Sequence, residues 1–334
     1  MPPNVTDNYD EPLQEETFEK LIAPQASPRV YDITWRRVIQ FIYVHIAGLY
    51  GSYLMLTSAS WATIAFSKMT AFLTYGTNVM AGAHRLWSHR SYKAKTPLQI
   101  FLMLCHSMAS QHTIFLWARD HRLHHRYSET DADPYNASRG FFFSHVGWLL
   151  VSRHPEVKKR GKAVDMTDMF NNPVVMFQKR YRKFLNPTMA FILPVIIPIY
   201  FWNETFINSY HMNMFRYILS LNGTFTINSL AHMFGTRPYD KNIAPSQNII
   251  TTVLTLGEGF HNYHHTFPID YKAGELGSFM NFSASFIDFC AWLGLVYDRK
   301  TVSNEVLEKR MARTGDGSTD KYGILTLKDK FSKS

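Results

Sequence analysis

Two copies of the pattern H-x-x-H-H constrain this chain more than any other feature of its 334 residues. The first copy is His121-Arg-Leu-His124-His125 and the second is His261-Asn-Tyr-His264-His265. Side chains three and four positions apart on a helix lie on one face, so each copy can direct three imidazoles at one point. Neutral imidazoles buried side by side would lose hydration, and protonated ones would repel each other. The sequence therefore predicts that a metal binds here.

Other histidines can join this centre. His84 and His89 are five positions apart, about 140° around an ideal helix, so they converge only if the helix ends or distorts between them. Asn228 and His232 are four positions apart and share a helix face. The remaining histidines stand alone, and each is expected to pack in the interior or to lie at the surface: His45, His106, His112, His145, His154 and His211.

The composition of the clusters narrows the choice of metal. Imidazole-dominated sites suit zinc, copper, iron or nickel. Nine clustered histidines exceed the needs of one tetrahedral zinc and suit two ions of higher coordination. Cys105 and Cys290, the two cysteines of the sequence, lie outside every cluster and are expected to be ordinary buried thiols. An H-E-x-x-H protease motif is missing, so iron combined with oxygen chemistry is the preferred interpretation.

Four apolar segments, approximately 38–58, 62–83, 188–202 and 214–234, are candidates to cross a membrane. Lys and Arg outnumber Asp and Glu between the two pairs, which places that region and everything after about residue 235 in the cytosol. The loop 203–213 is then luminal, with a glycosylation sequon at Asn203-Glu204-Thr205. The apolar stretch 98–117 contains several polar residues and is expected to be a buried or membrane-surface helix.

The two ends of the chain are predicted to be flexible tails. Residues 1–30 are polar and lack the basic start and apolar core of a signal peptide, so they are expected to lie in the cytosol. Residues 316–334 are the second predicted tail, and 31–315 form the intervening domain.

The clusters and their flanking residues resemble the membrane acyl-CoA desaturases of the stearoyl-CoA desaturase family, over nearly the whole chain beyond about residue 20. The matching motifs are Ala81-Gly-Ala-His84-Arg-Leu-Trp-Ser-His89, Trp117-Ala-Arg-Asp-His121-Arg-Leu-His-His125, Gly140-Phe-Phe-Phe-Ser-His-Val-Gly-Trp148, Asn228-Ser-Leu-Ala-His232 and Gly257-Glu-Gly-Phe-His261-Asn-Tyr-His-His265. The resemblance implies an all-α membrane protein with four transmembrane helices and a cytosolic helical cap holding a di-iron site. It also implies a multi-pass protein of the endoplasmic reticulum membrane with both termini in the cytosol.

By this resemblance, a fatty acyl-CoA loses two hydrogens while dioxygen is reduced to water. The electrons arrive from cytochrome b5 and NADH-cytochrome b5 reductase. An unactivated methylene offers no acidic proton, so the reaction needs metal and oxygen chemistry. The implied iron ligands are His84, His89, His121, His124, His125, His232, His261, His264 and His265, with Asn228 acting through a water. Basic residues around Lys158, Lys159 and Arg160 either steer the acidic cytochrome or form a solvated positive face near lipid.

The resemblance also implies substrate contacts. The coenzyme A headgroup lies near Arg119 and Asp120, assisted by Arg153, the kink of the acyl tunnel lies at Gln111, Trp117 and Thr224, and its methyl end lies near Phe72 and Gly76. Four positions depart from the mammalian pattern: Arg37 and His112 replace asparagines, Ser152 replaces a basic residue, and Phe225 replaces a common tryptophan. Gly76 removes a methyl from the tunnel floor, which predicts that a longer tail is accepted.

Three segments look like the moth branch of the family, in which sex-pheromone desaturases have diversified: Lys20-Leu-Ile-Ala-Pro-Gln-Ala, Ala244-Pro-Ser-Gln247 and the stretch 304–317. The tetrapeptide resembles those of enzymes that act at carbon 11, some of which also form conjugated dienes or triple bonds. A pheromone-gland desaturase acting at carbon 11 is the leading hypothesis, and a metabolic enzyme acting at carbon 9 is the alternative.

Three other classes of protein are considered. A membrane hydroxylase would share the histidine clusters and differ in its product. A metal transporter would place its ligands along spanning helices, whereas most of the clustered histidines of this sequence lie in predicted cytosolic segments. A nucleic-acid-binding protein would explain the net charge of +9 and not the apolar pairs.

Overall fold

The protein is mostly helical in the computed structural model, which describes residues 31–274 and 280–318 but not the side chains of 76–78. In chain order the helices are α1 (Trp35–Thr57), α2 (Trp61–Ala71) continuing into the π-wound π1 (Phe72–Ser88), α3 (Thr96–Ala109), α4 (Ile114–Tyr127), a 3-10 turn (Ala137–Arg139), π2 (Phe143–Gly147), α5 (Trp148–Leu150), α6 (Pro155–Gly161), α7 (Thr167–Phe170), α8 (Pro173–Pro187) continuing through π3 (Thr188–Ile192) into α9 (Leu193–Trp202), α10 (Phe206–Met233), α11 (Ile249–Thr255), α12 (His261–Thr266), α13 (Phe282–Trp292) and α14 (Asn304–Thr314). Strands β1 (Lys93–Ala94) and β2 (Val296–Tyr297) pair antiparallel. The predicted tails lie outside the described residues, apart from 316–318.

Two of the described helices are long and apolar enough to cross a membrane. They are Trp35–Thr57, with a mean hydropathy of 1.3, and Pro173–Trp202, with a mean hydropathy of 1.8. The second contains the predicted segment 188–202 and begins 15 residues earlier. The combined α2 and π1 helix and α10 are also long, but α10 buries polar side chains such as Asn213 and Arg216. Composition therefore identifies two of the four predicted spans.

The helix that carries the first histidine pair is distorted in the way that pair requires. Ser60 caps its start by accepting a hydrogen bond from the Thr63 amide. From Phe72 onward the helix has π-type turns, in which an amide bonds to the carbonyl five residues earlier. The His89 amide bonds to the His84 carbonyl in this way, at 3.0 Å, where the helix ends. The two histidines thus share a face, as the sequence demanded for convergence.

The predicted loop 203–213 is shorter in the structure, because α10 begins at Phe206 with Thr205 as its cap. The polar residues that indicated a loop, including Asn208 and Asn213, face the protein interior. Glu204 is also buried and accepts hydrogen bonds from Ser60, Thr63 and Asn208. Burial opposes its ionisation, but these hydrogen bonds hold the pKa of Glu204 at about 2.

The predicted helix over 98–117 is two helices of 14 residues each, α3 and α4. Ser110 and His112 adopt left-handed backbone angles at the break, and Thr113 caps the start of α4. Helices of 14 residues are short for a membrane span, in line with the prediction. The largest buried apolar cluster packs α3 against the end of π1 and against α13, through Leu102, Trp87 and Ile287.

Candidate metal centre

All nine clustered histidines converge in the structure, where they form two adjacent groups. Within each group the candidate ligand nitrogens lie within 4.8 Å of one another. The five-histidine group comprises His84, His89, His121, His125 and His264. The four-histidine group comprises His124, His232, His261 and His265. Each H-x-x-H-H pattern therefore divides its rings between the groups, so both groups share the same two helices, α4 and α12.

The spacing of the nitrogens fits one metal ion in each group. The Nε2 atoms of His89 and His121 are 2.8 Å apart, and the Nε2 atoms of His84 and His264 are 2.9 Å apart. In the other group the Nε2 atoms of His232 and His261 are 2.9 Å apart. A metal–nitrogen bond of about 2.1 Å puts neighbouring ligand atoms about 3 Å apart at right angles. The donor set and its spacing therefore fit a pair of transition-metal ions.

Burial keeps these rings in the neutral form that binds cations. It lowers the pKa values of His121, His125, His264 and His265 well below the usual value, and repulsion between neighbouring rings adds to the effect. The rings are therefore neutral at neutral pH, with a lone pair available on one ring nitrogen. A site of this kind favours a metal over protons.

In three of the rings, a carboxylate contacts Nδ1, the ring nitrogen that faces away from the group. Asp133 Oδ1 lies 2.9 Å from His124 Nδ1, and Glu129 Oε1 lies 2.7 Å from His232 Nδ1. Glu258 Oε2 lies 3.5 Å from His84 Nδ1. Carboxylates in this position orient histidine ligands and raise their basicity. Sequence reasoning missed all three, although the acidic run directly after the first H-x-x-H-H pattern was a signal for two of them.

Glu258 also forms a buried ion pair with Arg85, next to the five-histidine group. Both side chains are at most 4% exposed. Burial opposes ionisation, but the Arg85 guanidinium and the His84 ring hold the pKa of Glu258 at about 2. The carboxylate charge here is therefore balanced by a fixed cation.

A largely apolar cavity of about 190 Å³ runs up to the histidines. Its wall includes His84 and His121 from the five-histidine group and His261 from the four-histidine group. Trp117 stacks on His121 with a ring separation of 4.9 Å. The rest of the wall consists of Phe41, Met80, Ser110, Gln111, His112, Asp120, Tyr135, Trp148, Leu149, Tyr217, Leu221, Thr224, Phe225, Ile227, Asn228 and Glu258. An apolar ligand in this cavity would therefore lie beside rings of both histidine groups.

Several residues predicted to contact substrate lie on this wall. Gln111, Trp117 and Thr224 all line it, and Gln111 Nε2 donates to Thr224 Oγ1 at 2.9 Å. Asp120 also lines the cavity, whereas Arg119 and Arg153 stand behind it and bond to its carboxylate at 2.6 and 2.9 Å. The headgroup candidates therefore form one ion cluster.

Other predicted residues are placed differently. Phe72 is 40% exposed, packs edge-on against Phe282 and is not part of the cavity wall. Gly76 lies in π1, and its surroundings fall outside the described side chains. Asn228 lies on the wall one turn before His232, so its predicted role through a water stays a prediction.

The structure also places several residues that lie outside the histidine clusters. His112 is exposed and lines the cavity, a role that its isolated position in the sequence did not indicate. Lys159 and Arg160 pair with Glu156, which partly neutralises the basic surface proposed to steer a partner. Cys105 and Cys290 are buried free thiols, as predicted.

Comparison with known proteins agrees with this geometry. The sequence pattern of the fatty acid desaturase family matches residues 59–273. The chain is 56% identical to an acyl-CoA Delta(11) desaturase of Spodoptera littoralis, over 93% of this chain and 92% of the relative. It is 54% identical to a (11Z)-hexadec-11-enoyl-CoA conjugase of Bombyx mori, over 95% and 98%. It is 52% identical to stearoyl-CoA desaturase 5 of Bos taurus, over 88% of each chain. The resemblance found in the sequence is confirmed, and this chain belongs to the fatty acid desaturase family.

Proposed function

We propose that this protein is an acyl-CoA desaturase that removes two hydrogens from a fatty acyl-CoA at carbon 11, in pheromone biosynthesis. The observation that carries the proposal is a single apolar cavity whose wall includes rings from both histidine groups. An acyl chain in this cavity would present a methylene to both metal positions at once. The family and the relatives with carbon-11 names support the same activity.

Two iron ions are the metals proposed for the two groups, with dioxygen as co-substrate. The nine histidines would hold them, and Asn228 would contribute through a water. Bound iron would supply the oxidising power needed to remove hydrogens from an unactivated methylene. The chain itself supplies neutral nitrogen ligands in a buried site, so a cation would bind without first displacing protons from the rings.

The cavity wall would position the acyl chain. The hydrogen bond between Gln111 and Thr224 joins the α3–α4 break to α10, and Trp117 is fixed by stacking on His121. These contacts hold the wall rigid beside the metal positions, so one pair of carbons is presented in preference to its neighbours. Aromatic rings such as Phe41 and Trp148 contribute to an apolar wall, which would exclude water from the reacting region.

The charged end of the substrate would lie at Asp120. This carboxylate anchors Arg119 and Arg153, and two guanidinium groups around one carboxylate leave a net positive charge for phosphate groups. His112 is exposed and lines the same cavity. We therefore assign the coenzyme A headgroup to this side, with Phe72 and Gly76 assigned to the methyl end by resemblance alone.

We further propose four membrane spans in the endoplasmic reticulum, with both termini in the cytosol. The long α2–π1 helix and α10 would join the two apolar helices, and their polar side chains would face the protein interior rather than lipid. Electrons would come from NADH-cytochrome b5 reductase through cytochrome b5. No role in nucleic-acid binding is proposed.

The position of the double bond is the finer part of the proposal. Ala244-Pro-Ser-Gln247 and the carbon-11 relatives favour carbon 11, and the conjugase relative extends the proposal to conjugated dienes. Action at carbon 9 is the second candidate, because a small shift of the acyl chain in the cavity changes the carbon presented. A hydroxylase would use the same centre and release an alcohol.

Expression in a desaturase-deficient yeast tests the function. The wild-type chain is expected to restore growth without added unsaturated fatty acids, and mass spectrometry is expected to place the new double bond at carbon 11. A His211→Gln variant, changed at a histidine outside both groups, is expected to behave like wild type.

The product decides between the alternatives. A double bond at carbon 9 would replace the carbon-11 assignment and keep the activity. A hydroxylated product would replace desaturation itself. Failure of a well-expressed wild-type chain to form any unsaturated lipid would contradict the proposed function.

A further inference from the structure

We propose that Glu129 and Asp133 are positioning residues that make the four-histidine group the more tightly held of the two iron positions. The inference rests on the proposed function, because it concerns the metals that the nine histidines would bind. Both residues belong to the acidic loop, which we define as residues 128–136 between α4 and the following 3-10 turn. The loop begins three residues after the last histidine of the first pattern.

The geometry of Asp133 shows a carboxylate built to hold one ring. Its side chain is fully buried, and its Oδ1 atom accepts from His124 Nδ1 at 2.9 Å and from the Tyr135 amide at 3.1 Å. Its Oδ2 atom accepts from the Glu129 amide at 3.0 Å. With the backbone fixing both oxygens, the carboxylate keeps the His124 ring turned with Nε2 toward the four-histidine group.

Glu129 does the same for a histidine on a distant helix. Its Oε1 atom accepts from His232 Nδ1 at 2.7 Å, and its Oε2 atom accepts from the Ser138 amide at 3.0 Å. Its backbone has φ = 62°, in the left-handed region that favours glycine. A glutamate keeps this conformation only where the surroundings enforce it, here through the bond to Asp133. The loop thus fixes two ligands that come from separate elements, α4 and α10.

Charge distinguishes the two histidine groups. In the described part of the chain, neither Glu129 nor Asp133 forms an ion pair with a lysine or arginine, whereas Glu258 beside the five-histidine group pairs with Arg85. A cation in the four-histidine group would therefore meet two uncompensated carboxylates through its ligands. A cation in the five-histidine group would meet one carboxylate that is already balanced. The fifth imidazole of the five-histidine group adds a ligand but no charge.

Asp131 provides a matched control inside the same loop. It is 9% exposed and contacts Arg139 at 2.8 Å and, more distantly, His154, neither of which belongs to a histidine group. Replacing it by asparagine removes the same charge from the same loop and leaves in place the two carboxylates, Glu129 and Asp133, that accept from His232 and His124. A general weakening of the loop would therefore appear in Asp131→Asn as well.

The test measures iron in the purified full-length protein in detergent, during titration with a ferrous chelator. Wild type is expected to hold two irons per chain and to release one before the other. In Asp133→Asn and Glu129→Gln, the tighter iron is expected to leave at a chelator concentration 10- to 100-fold lower, in the range found when such partners are removed. Asp131→Asn is expected to follow wild type.

Mössbauer spectra of the ferrous protein give a second readout. One of two iron signals is expected to change in each of the two positioning variants, while the other stays as in wild type. Glu129 is partly exposed, so Glu129→Gln is the milder change and carries the test if Asp133→Asn does not accumulate.

The outcomes separate the two proposals. A wild-type chain without iron would overturn the proposed function. If wild type holds two irons and the positioning variants release theirs at the same chelator concentrations as wild type, the role of Glu129 and Asp133 is overturned. Equal weakening in Asp131→Asn would do the same.

Discussion

The metal centre and the cavity beside it are built on opposite principles. In the centre, the rings are held by their neighbours in a group, and His84, His124 and His232 are also held by a carboxylate behind them. In the cavity, the wall comes from several elements and is mostly apolar, with Gln111 bonded to Thr224 as a polar link across it. Directional bonds tolerate little displacement, whereas apolar contacts tolerate changes of shape.

This difference separates the rate of the reaction from the identity of the product. A change in the centre is expected to remove metal and activity for every substrate. A change in the cavity is expected to leave the metals bound and to alter which carbon or chain length is used.

The largest effect is expected for His124→Ala and His264→Ala, which remove one ring from each group. Each is expected to lower unsaturated product more than about 100-fold, because loss of a ligand exceeds the loss caused by removing its outer partner. Lipid analysis in yeast and iron content of the purified protein measure both effects. Undiminished product from either variant, at wild-type expression, would contradict the assignment of the centre.

Gln111→Ala is expected to have the next largest effect, about tenfold on turnover, because it breaks a buried hydrogen bond worth about 1.4 kcal/mol. The double bond is expected to be distributed over neighbouring carbons, while iron stays at two per chain. Gln99→Ala, at a partly buried glutamine that bonds to Ala94 and Asn172 away from the cavity, is the control. Iron loss in Gln111→Ala would show that centre and cavity are not separable.

The sequence predicted the centre better than the cavity for a physical reason. Spacing along one helix determines which rings share a face, so the two H-x-x-H-H patterns and the distortion between His84 and His89 followed from local geometry. The division into groups of five and four did not, because it depends on how α4, α10 and α12 pack. Contacts from Glu129, Asp133 and Glu258 depend on that packing too.

The membrane segments show the same limit. Hydropathy located the helices that carry 38–58 and 188–202 but misplaced the start of α10, whose polar residues face the interior. Arg216 is the clearest case, since its buried guanidinium donates to Asn213 and to the Ala190 carbonyl. A single sequence does not distinguish a polar residue facing protein from one facing solvent, and this is why the loop 203–213 was predicted too long.

Arg153→Ala tests the charged end of the cavity. Asp120 stays paired with Arg119, so the fold is expected to persist while one phosphate-binding cation is lost. We expect the KM for acyl-CoA to rise about fivefold with little change in kcat, as for a partly exposed charged contact worth about 1 kcal/mol. Arg310→Ala, at a partly exposed arginine paired with Asp240 away from the cavity, is the control in steady-state assays. A fall in kcat with unchanged KM would move the headgroup elsewhere.

Phe225 provides the smallest and most selective test, because its ring lies on the cavity wall and is only 3% exposed. It packs between Phe41, His145 and Trp148, with ring separations of 6.3, 5.7 and 6.5 Å. Phe225→Trp adds volume to the wall, so the ratio of C18 to C16 products is expected to fall about fourfold, the value of one buried methylene at about 0.8 kcal/mol. Phe225→Leu removes volume, and the same ratio is expected to rise.

Competition assays with mixed acyl-CoA substrates measure the ratio, and iron is expected to stay at two per chain in both variants. Shifts in the same direction would show that this ring acts through the packing of α10 rather than through the volume of the cavity.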